Sequence, residues 1–402
     1  MDANRTGRLL EQLRHRRGMT LRELAAALYC DYSWLGNIQR GRRWPTERNW
    51  VINTDAVLGG GGILVSAWDA DQQERAEAAA TLKALEQARR ESEELLVAPD
   101  GADLDRIENE IVHVAEIAGI DPYDTTIRHA LDLRTELTRR THEGAYRPEQ
   151  VRDLYVALSR VYGILAYLTL DLGQDTAARA HISSAFHFAD LADHDQLRAW
   201  ARGTESLALR FTKDFEPARD AAIDGLRYVG ASTGTAEPRL LCGLAASTAN
   251  LGDSSGAVQL LQQADRVRAQ CGPDELAGPL FGFSQAKQLY YHGFSLMWAE
   301  EPAILRRAVA ASKEAIAAWQ DAHSPGDETL THIYLATACV RLGDLDGSMD
   351  AIDPILARPL TASFSWVKKR LNQLNELTET YFPDSQLAAE MRYKVQSYIA
   401  TA

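Results

Sequence analysis

Cysteine is scarce in this chain: four residues among 402, Cys30, Cys242, Cys271 and Cys339, with no CxxC pair. A structural zinc site needs four closely spaced ligands, and small secreted domains are far denser in disulfides. The four therefore read as buried free thiols in a reducing cytoplasm. Long apolar runs are missing as well. The most apolar stretch, Val161 to Leu170, is interrupted by Tyr162, Gly163 and Thr169, and it is too short to cross a bilayer. It reads as a core helix, and the N-terminus lacks the apolar segment of a signal peptide. Neither HExxH nor a GxxxxGKS or GxxxxGKT loop occurs, and Gly59 to Gly62 does not follow a buried strand that would present it to a phosphate. The ten histidines are scattered. His187 and His194 are two turns apart on a helix, but no cysteine or third ligand stands nearby. No metal, no cofactor, no membrane contact and no catalytic role is expected.

What is present is a short stretch with two marked helix starts. Thr20 and Glu23 form a capping box, in which each side chain satisfies a backbone donor of the other residue, and Asp31 caps a second helix in the same way. Leu10 and Leu13 in a preceding helix, Leu24 and Leu28, then Leu35 and Ile38, recur three or four residues apart and form three narrow apolar stripes. Gly41, free to take positive φ, ends the third helix, and Pro45 prevents its immediate resumption. Two short helices at an angle, surrounded by arginines, are the layout of a helix-turn-helix. With Asp31 as cap, Tyr32, Ser33 and Asn37 face outward, where hydroxyl and amide groups can hydrogen-bond base edges in the major groove. Arg40, Arg42 and Arg43 follow the helix and suit phosphates, which position a protein without reading sequence. Arg14, Arg16 and Arg17, with His15, extend the same field. Thr20 and Trp34, at the starts of the two helices, complete the candidate DNA-contacting set.

The segment resembles the Xre, or Cro/cI-type, helix-turn-helix of actinobacterial regulators. The resemblance rests on Leu13-Arg14-x-x-Arg17-Gly18-Met19-Thr20, Glu23-Leu24-Ala25, Ile38-Gln39-Arg40-Gly41-x-Arg43-x-Pro45 and Asp55-x-x-Leu58-Gly59-x-Gly61-Gly62-x-Leu64-x-x-Ala67-Trp68. Two positions depart from the family: Tyr29 stands at the turn where glycine is usual, and Gln39 where glutamate is usual. A tyrosine forced to positive φ is strained by about 1 to 3 kcal/mol, so a remodelled turn is expected.

Charge is divided along the chain. Residues 1 to 50 carry ten arginines and five acidic residues, net +5, and the remainder carries 33 basic and 51 acidic residues, net −18. The total of −13 conceals this. A basic first segment on an acidic body restricts nucleic-acid contact to one end.

The organisation expected is a helix-turn-helix domain over residues 1–68, a connecting helix or linker over 69–101, rich in Ala, Glu, Gln, Arg and Leu, and an all-helical domain over 102–402. In the last, Leu172-Gly173-Gln174-Asp175, Thr212-Lys213-Asp214-Phe215, Leu251-Gly252-Asp253 and Leu342-Gly343-Asp344-Leu345 recur within similar flanks. Taking Gly173, Lys213, Gly252 and Gly343 as equivalent gives steps of 40, 39 and 91 residues, the last spanning two units. The period is longer than the about 34 residues of a strict tetratricopeptide repeat, so an irregular helical solenoid is expected. Glycine lets the chain leave a helix with positive φ, and aspartate caps the next one. This part resembles the tetratricopeptide-type half found behind Xre-type domains, on Arg198-Ala199-Trp200-x-x-Gly203-Thr204-x-Ser206 and Asp171-Leu172-Gly173. The fold class expected is all-α.

The first helices of such pairs line a concave surface. Tyr162, Trp200, Gln288, Tyr291, Phe294 and Trp298 are the candidate ligand contacts, the aromatics being densest from 281 to 298. The reading is a cytoplasmic transcriptional regulator that binds double-stranded DNA as a homodimer and responds to a small molecule, peptide or protein held by the helical domain. The family resemblance implies a role in development or secondary metabolism. The alternative is a protein-interaction scaffold whose first domain has little sequence preference.

Overall fold

The computed structural model describes residues 4–95, 102–118, 123–143, 146–230, 234–274, 276, 280–322, 324–358 and 365–401. Helices account for the secondary structure of these residues, among which no strand occurs. The fold is all-α, and the chain divides into two compact units, Met1–Val97 and Ala98–Ala402.

The first unit holds α1 (Arg5–Arg16), α2 (Leu21–Ala27), α3 (Tyr32–Gln39), α4 (Arg48–Leu58) and α5 (Ile63–Leu95). Leu10, Leu13, Leu24, Leu35 and Ile38 are all buried and meet Val51, Leu64 and Trp68 in one core, while Leu28 is only half-buried. Each fully buried leucine or isoleucine contributes about 1.5–3 kcal/mol. Gly7 brings the start of α1 against the end of α3: a Cβ there would lie 2.4 Å from the Ile38 carbonyl oxygen. The helix α5 begins inside this domain. Asp55, buried in α4, accepts from the backbone N–H groups of Gly62 (2.6 Å) and Leu64 (2.9 Å), so it caps the start of α5. Trp68 Nε1 donates to the Pro45 carbonyl at 2.9 Å. Asp71, fully buried, accepts from both the backbone N–H and the hydroxyl of Thr6. The sequence division at 68/69 thus falls within a continuous helix whose next turn is still anchored to α1.

The second unit comprises α6 (Ala102–Ile117), α7 (Tyr123–Glu143) and then helices packed in consecutive pairs: α8 (Pro148–Asp171) with α9 (Asp175–Leu191), α10 (Asp195–Phe211) with α11 (Phe215–Gly225), α12 (Ala236–Asn250) with α13 (Ser254–Arg268), α14 (Gln285–Leu296) with α15 (Pro302–Ala322), α16 (Pro325–Leu342) with α17 (Leu345–Leu356), and α18 (Ser365–Tyr381) with α19 (Gln386–Thr401). The four residues aligned from the sequence all stand at turns within pairs, and all have positive φ: Gly173 72°, Lys213 64°, Gly252 93° and Gly343 81°. At each turn the residue that follows donates its N–H five residues back, as in Gln174 to Thr169 and Asp344 to Cys339. This satisfies a helix-end carbonyl and fixes the reversal. Asp253 and Asp344 then cap α13 and α17 through their side chains.

By length and composition α8 is apolar enough to cross a membrane, yet 67% of its most apolar window is buried within the protein. Its neighbours in the same core include Trp200, Phe281 and Leu197. Two of the four cysteines, Cys242 and Cys339, are buried, whereas Cys30 and Cys271 are half-exposed. The expectation of four buried thiols is corrected to two, because Cys30 lies in the α2–α3 turn and Cys271 beyond the end of α13.

Candidate nucleic-acid interface and ligand cavity

The turn between α2 and α3 keeps the geometry that glycine would favour. Tyr29 has φ 53° with its side chain 98% exposed, and the Cys30 N–H donates to the Ala25 carbonyl at 3.0 Å. The turn is therefore not remodelled: the backbone closes as a left-handed helix end and the tyrosine bears the strain, its ring projecting into solvent.

The capping residues perform as their types require. Thr20 Oγ1 accepts from the Glu23 N–H, and the Glu23 carboxylate accepts from the Thr20 N–H at 2.7 Å. This backbone donor, with the Thr20 hydroxyl, holds the Glu23 carboxyl below the usual glutamate value. Asp31 accepts from the Trp34 N–H at 2.8 Å. The register of α3 follows. Leu35 and Ile38 point into the core, while Tyr32 and Ser33 are exposed. Trp34 is half-buried, its ring edge-on to Trp50 with centroids 5.0 Å apart. Asn37 is half-buried, and its Oδ1 accepts from the Arg40 guanidinium at 3.2 Å. That leaves the amide N–H2 and a second oxygen lone pair for a base edge.

Arginines flank this helix. Arg17, Arg42 and Arg43 are exposed. Arg14 is partly turned inward, donating to the Met19 carbonyl at 2.7 Å, so it braces the loop before α2. Arg22 was not singled out from the sequence, yet its guanidinium lies 5.4 Å from the centre of the Tyr32 ring. No sequence motif marks it; only the folding of α2 against α3 brings the two together.

Of the six candidate ligand contacts, Tyr291 and Phe294 line a cavity of about 520 Å3 in the second unit, and Trp298 lines a second of about 250 Å3. The other three hold the helices together. Trp200 is buried against Tyr167 and Phe281, its Nε1 donating to the Leu280 carbonyl at 3.0 Å. Gln288 is fully buried, donating to Asp265 at 2.7 Å and accepting from Arg268. Tyr162 stacks on Phe188.

The larger cavity combines aromatic walls, among them Phe211, Trp319 and Trp366, with four tyrosines and a few charges. Tyr290 and Tyr334 share a hydrogen bond of 3.0 Å. Lys287 stands 3.4 Å from Asp327. Burial disfavours the lysine charge, but Asp327 and the Tyr167 phenol outweigh it and hold the ammonium above its usual value. Burial likewise opposes ionisation of Tyr167, and Arg239 and Lys287 together reverse this. Lys287, Asp327 and Trp366 escaped the sequence reading because no local pattern sets them apart from solvated charges and core aromatics.

Two sequence patterns resolve as structural. The expectation that G-x-S-x-G is absent is corrected: Gly252-Asp253-Ser254-Ser255-Gly256 spells it, but it forms the α12–α13 turn with Asp253 as cap and follows a helix, not a strand. A nucleophile elbow needs a strand-to-helix turn. His194 accepts from the Leu197 N–H at 3.4 Å as the cap of α10.

Residues 5–68 match a family described as a helix-turn-helix domain. The chain carries a DNA-binding helix-turn-helix at its N-terminal end. No curated protein and no solved structure matches the chain.

Proposed function

We propose that this protein is a sequence-specific transcriptional regulator that acts in the cytoplasm, binds two related half-sites as a homodimer, and is controlled by a small molecule or peptide in the cavity of its helical unit. The observation that carries the reading is the outward face of α3: Tyr32, Ser33 and Asn37 stand on one capped, core-anchored helix, with exposed arginines on both sides. Such a helix fits the major groove, and hydroxyl and amide groups discriminate among base edges. Dimerisation is supported by the reach of one small domain, which contacts a single half-site, whereas two linked domains gain by effective concentration. Ligand control is supported by a volume of about 520 Å3, within the range of small-molecule sites. The family resemblance of the residues supports a role in development or secondary metabolism.

The test is binding to selected DNA sites by wild type and Asn37→Ala at several salt concentrations. The variant is expected to lose about 1–3 kcal/mol of discrimination between cognate and random DNA, with its nonspecific affinity and salt slope kept. Equal discrimination by both proteins would remove Asn37 from the reading surface and favour the scaffold alternative.

A further inference from the structure

The second cavity differs from the first in its charge. Among its described lining residues are four basic side chains, Arg210, Lys213, Lys369 and Arg370, and no carboxylate. This runs against the composition, since acidic residues outnumber basic ones by 56 to 43. Elsewhere in the unit Arg198 meets Asp190, Asp193 and Asp195, and Lys287 meets Asp327, although Arg239 and Arg341 also bond to neutral groups. Here the partners are neutral. Arg210 donates to Ser206, the Gly243 carbonyl and the Tyr291 hydroxyl. Lys369 Nζ donates to the Phe211 carbonyl at 3.2 Å, and Arg370 donates to Gln373 at 2.7 Å. Lys369 and Arg370 also lie over the faces of Trp366 and Phe294. Burial, with Arg370 and Lys213 nearby, pushes the Lys369 ammonium below its usual value, and Asp175 offsets this only in part.

Lys213 gives an independent sign. The equivalent turns of three other helix pairs carry glycine at this position, and Lys213 adopts the same left-handed conformation with φ 64°. A non-glycine residue held there is strained, and the lysine adds to the cavity wall a cation that glycine would not supply. Phe211, Phe294, Trp366 and Arg370 line both cavities, so the basic pocket adjoins the aromatic one.

We infer that the basic cavity takes the anionic headgroup, carboxylate or phosphate, of an amphipathic ligand whose apolar body occupies the larger cavity. Charge-assisted hydrogen bonds from two guanidinium and two ammonium groups suit such a headgroup, and Trp366 and Phe294 present ring faces to the body. This rests on the proposal that the larger cavity holds a ligand, and it specifies that ligand's chemistry.

The test uses two fluorescent probes on the full chain: 8-anilinonaphthalene-1-sulfonate, whose sulfonate stands in for the headgroup, and N-phenyl-1-naphthylamine, the same body without charge. Lys213→Gly removes one cation while relieving the backbone, so its melting temperature is expected to equal or exceed that of wild type. Lys369→Gln removes a second cation. Each variant is expected to weaken the sulfonate dye about tenfold, the loss of one charged hydrogen bond, and to leave the neutral dye unchanged. Decanoate or decyl phosphate should displace the sulfonate dye at lower concentration than decanol, and the more effective of the two identifies the preferred headgroup. Unchanged affinity for the sulfonate dye in both variants, or decanol as potent as the anions, would overturn the inference while the cavity remained a ligand site. Failure of both dyes to bind wild type would sink the ligand reading itself, and this inference with it.

Discussion

Tyr29 stands at a backbone position that glycine fills more cheaply, and its ring is almost wholly exposed. Tyr29→Gly is therefore expected to stabilise the first unit by about 1 kcal/mol, read as a higher denaturant midpoint with an unchanged slope. Asp71 is the opposite case. Its carboxylate is the partner of the buried Thr6 N–H and hydroxyl, and Asp71→Ala leaves both donors unsatisfied. A loss of about 1–3 kcal/mol is expected in the same measurement. The cysteines divide by environment. Burial pushes the Cys339 thiol up to about 11 and raises Cys242 further. Only the thiolate reacts readily, so a thiol reagent at pH 8 should label Cys30 and Cys271 in the native protein, and Cys242 and Cys339 only after unfolding.

At the scale of elements, the pair turns were legible because a local rule governs each one. A residue at positive φ just past a helix end leaves a recurring mark, glycine at three of the turns and lysine at one, reinforced by a capping aspartate after Gly252 and Gly343, and all four marked residues stand at equivalent turns. The α14–α15 connection escaped the pattern because the residue after the α14 cap, Trp298, does not take positive φ, so no glycine is needed there. The packing of α18 was illegible for another reason. Trp366 Nε1 donates to the Leu170 carbonyl, 196 residues away in sequence, and its ring stacks on Phe211 with centroids 3.4 Å apart. No spacing rule reaches that far. Likewise Arg22 joins Tyr32, and Lys287 joins Asp327, only through tertiary contact, whereas Thr20, Asp31 and the α3 face were readable from caps and periodicity. Trp366→Ala is expected to cost about 3–5 kcal/mol and to speed amide exchange in α18 and α19 ahead of the other pairs. The α16–α17 contact carries a pH dependence. His332 is buried, which lowers its pKa from 6.5 despite the bond from Nδ1–H to the Ala351 carbonyl. Below about 6.5 the unfolded chain takes up a proton that the folded ring resists. Stability of the second unit is thus constant above that pH and declines as pH falls toward the folded value. His332→Gln should flatten part of the fall in melting temperature between about pH 7 and 5.

For the whole molecule, the division of charge decides how it meets DNA. The net +5 of residues 1 to 50 lies within a chain whose remainder is −18, so phosphate attraction is confined to the helix-turn-helix domain, and the acidic remainder opposes nonspecific coating of DNA. Affinity should fall steeply with salt through the exposed arginines, and under the proposed function selectivity is expected to rest on the few side chains of α3. The most direct measurement is enrichment of fragmented host genomic DNA on the purified full-length protein at physiological salt, beside an Asn37→Ala control. The account predicts a small number of recovered loci that share a two-fold-related motif and are lost in the control. Featureless recovery that is the same for both proteins and vanishes as salt rises would contradict it.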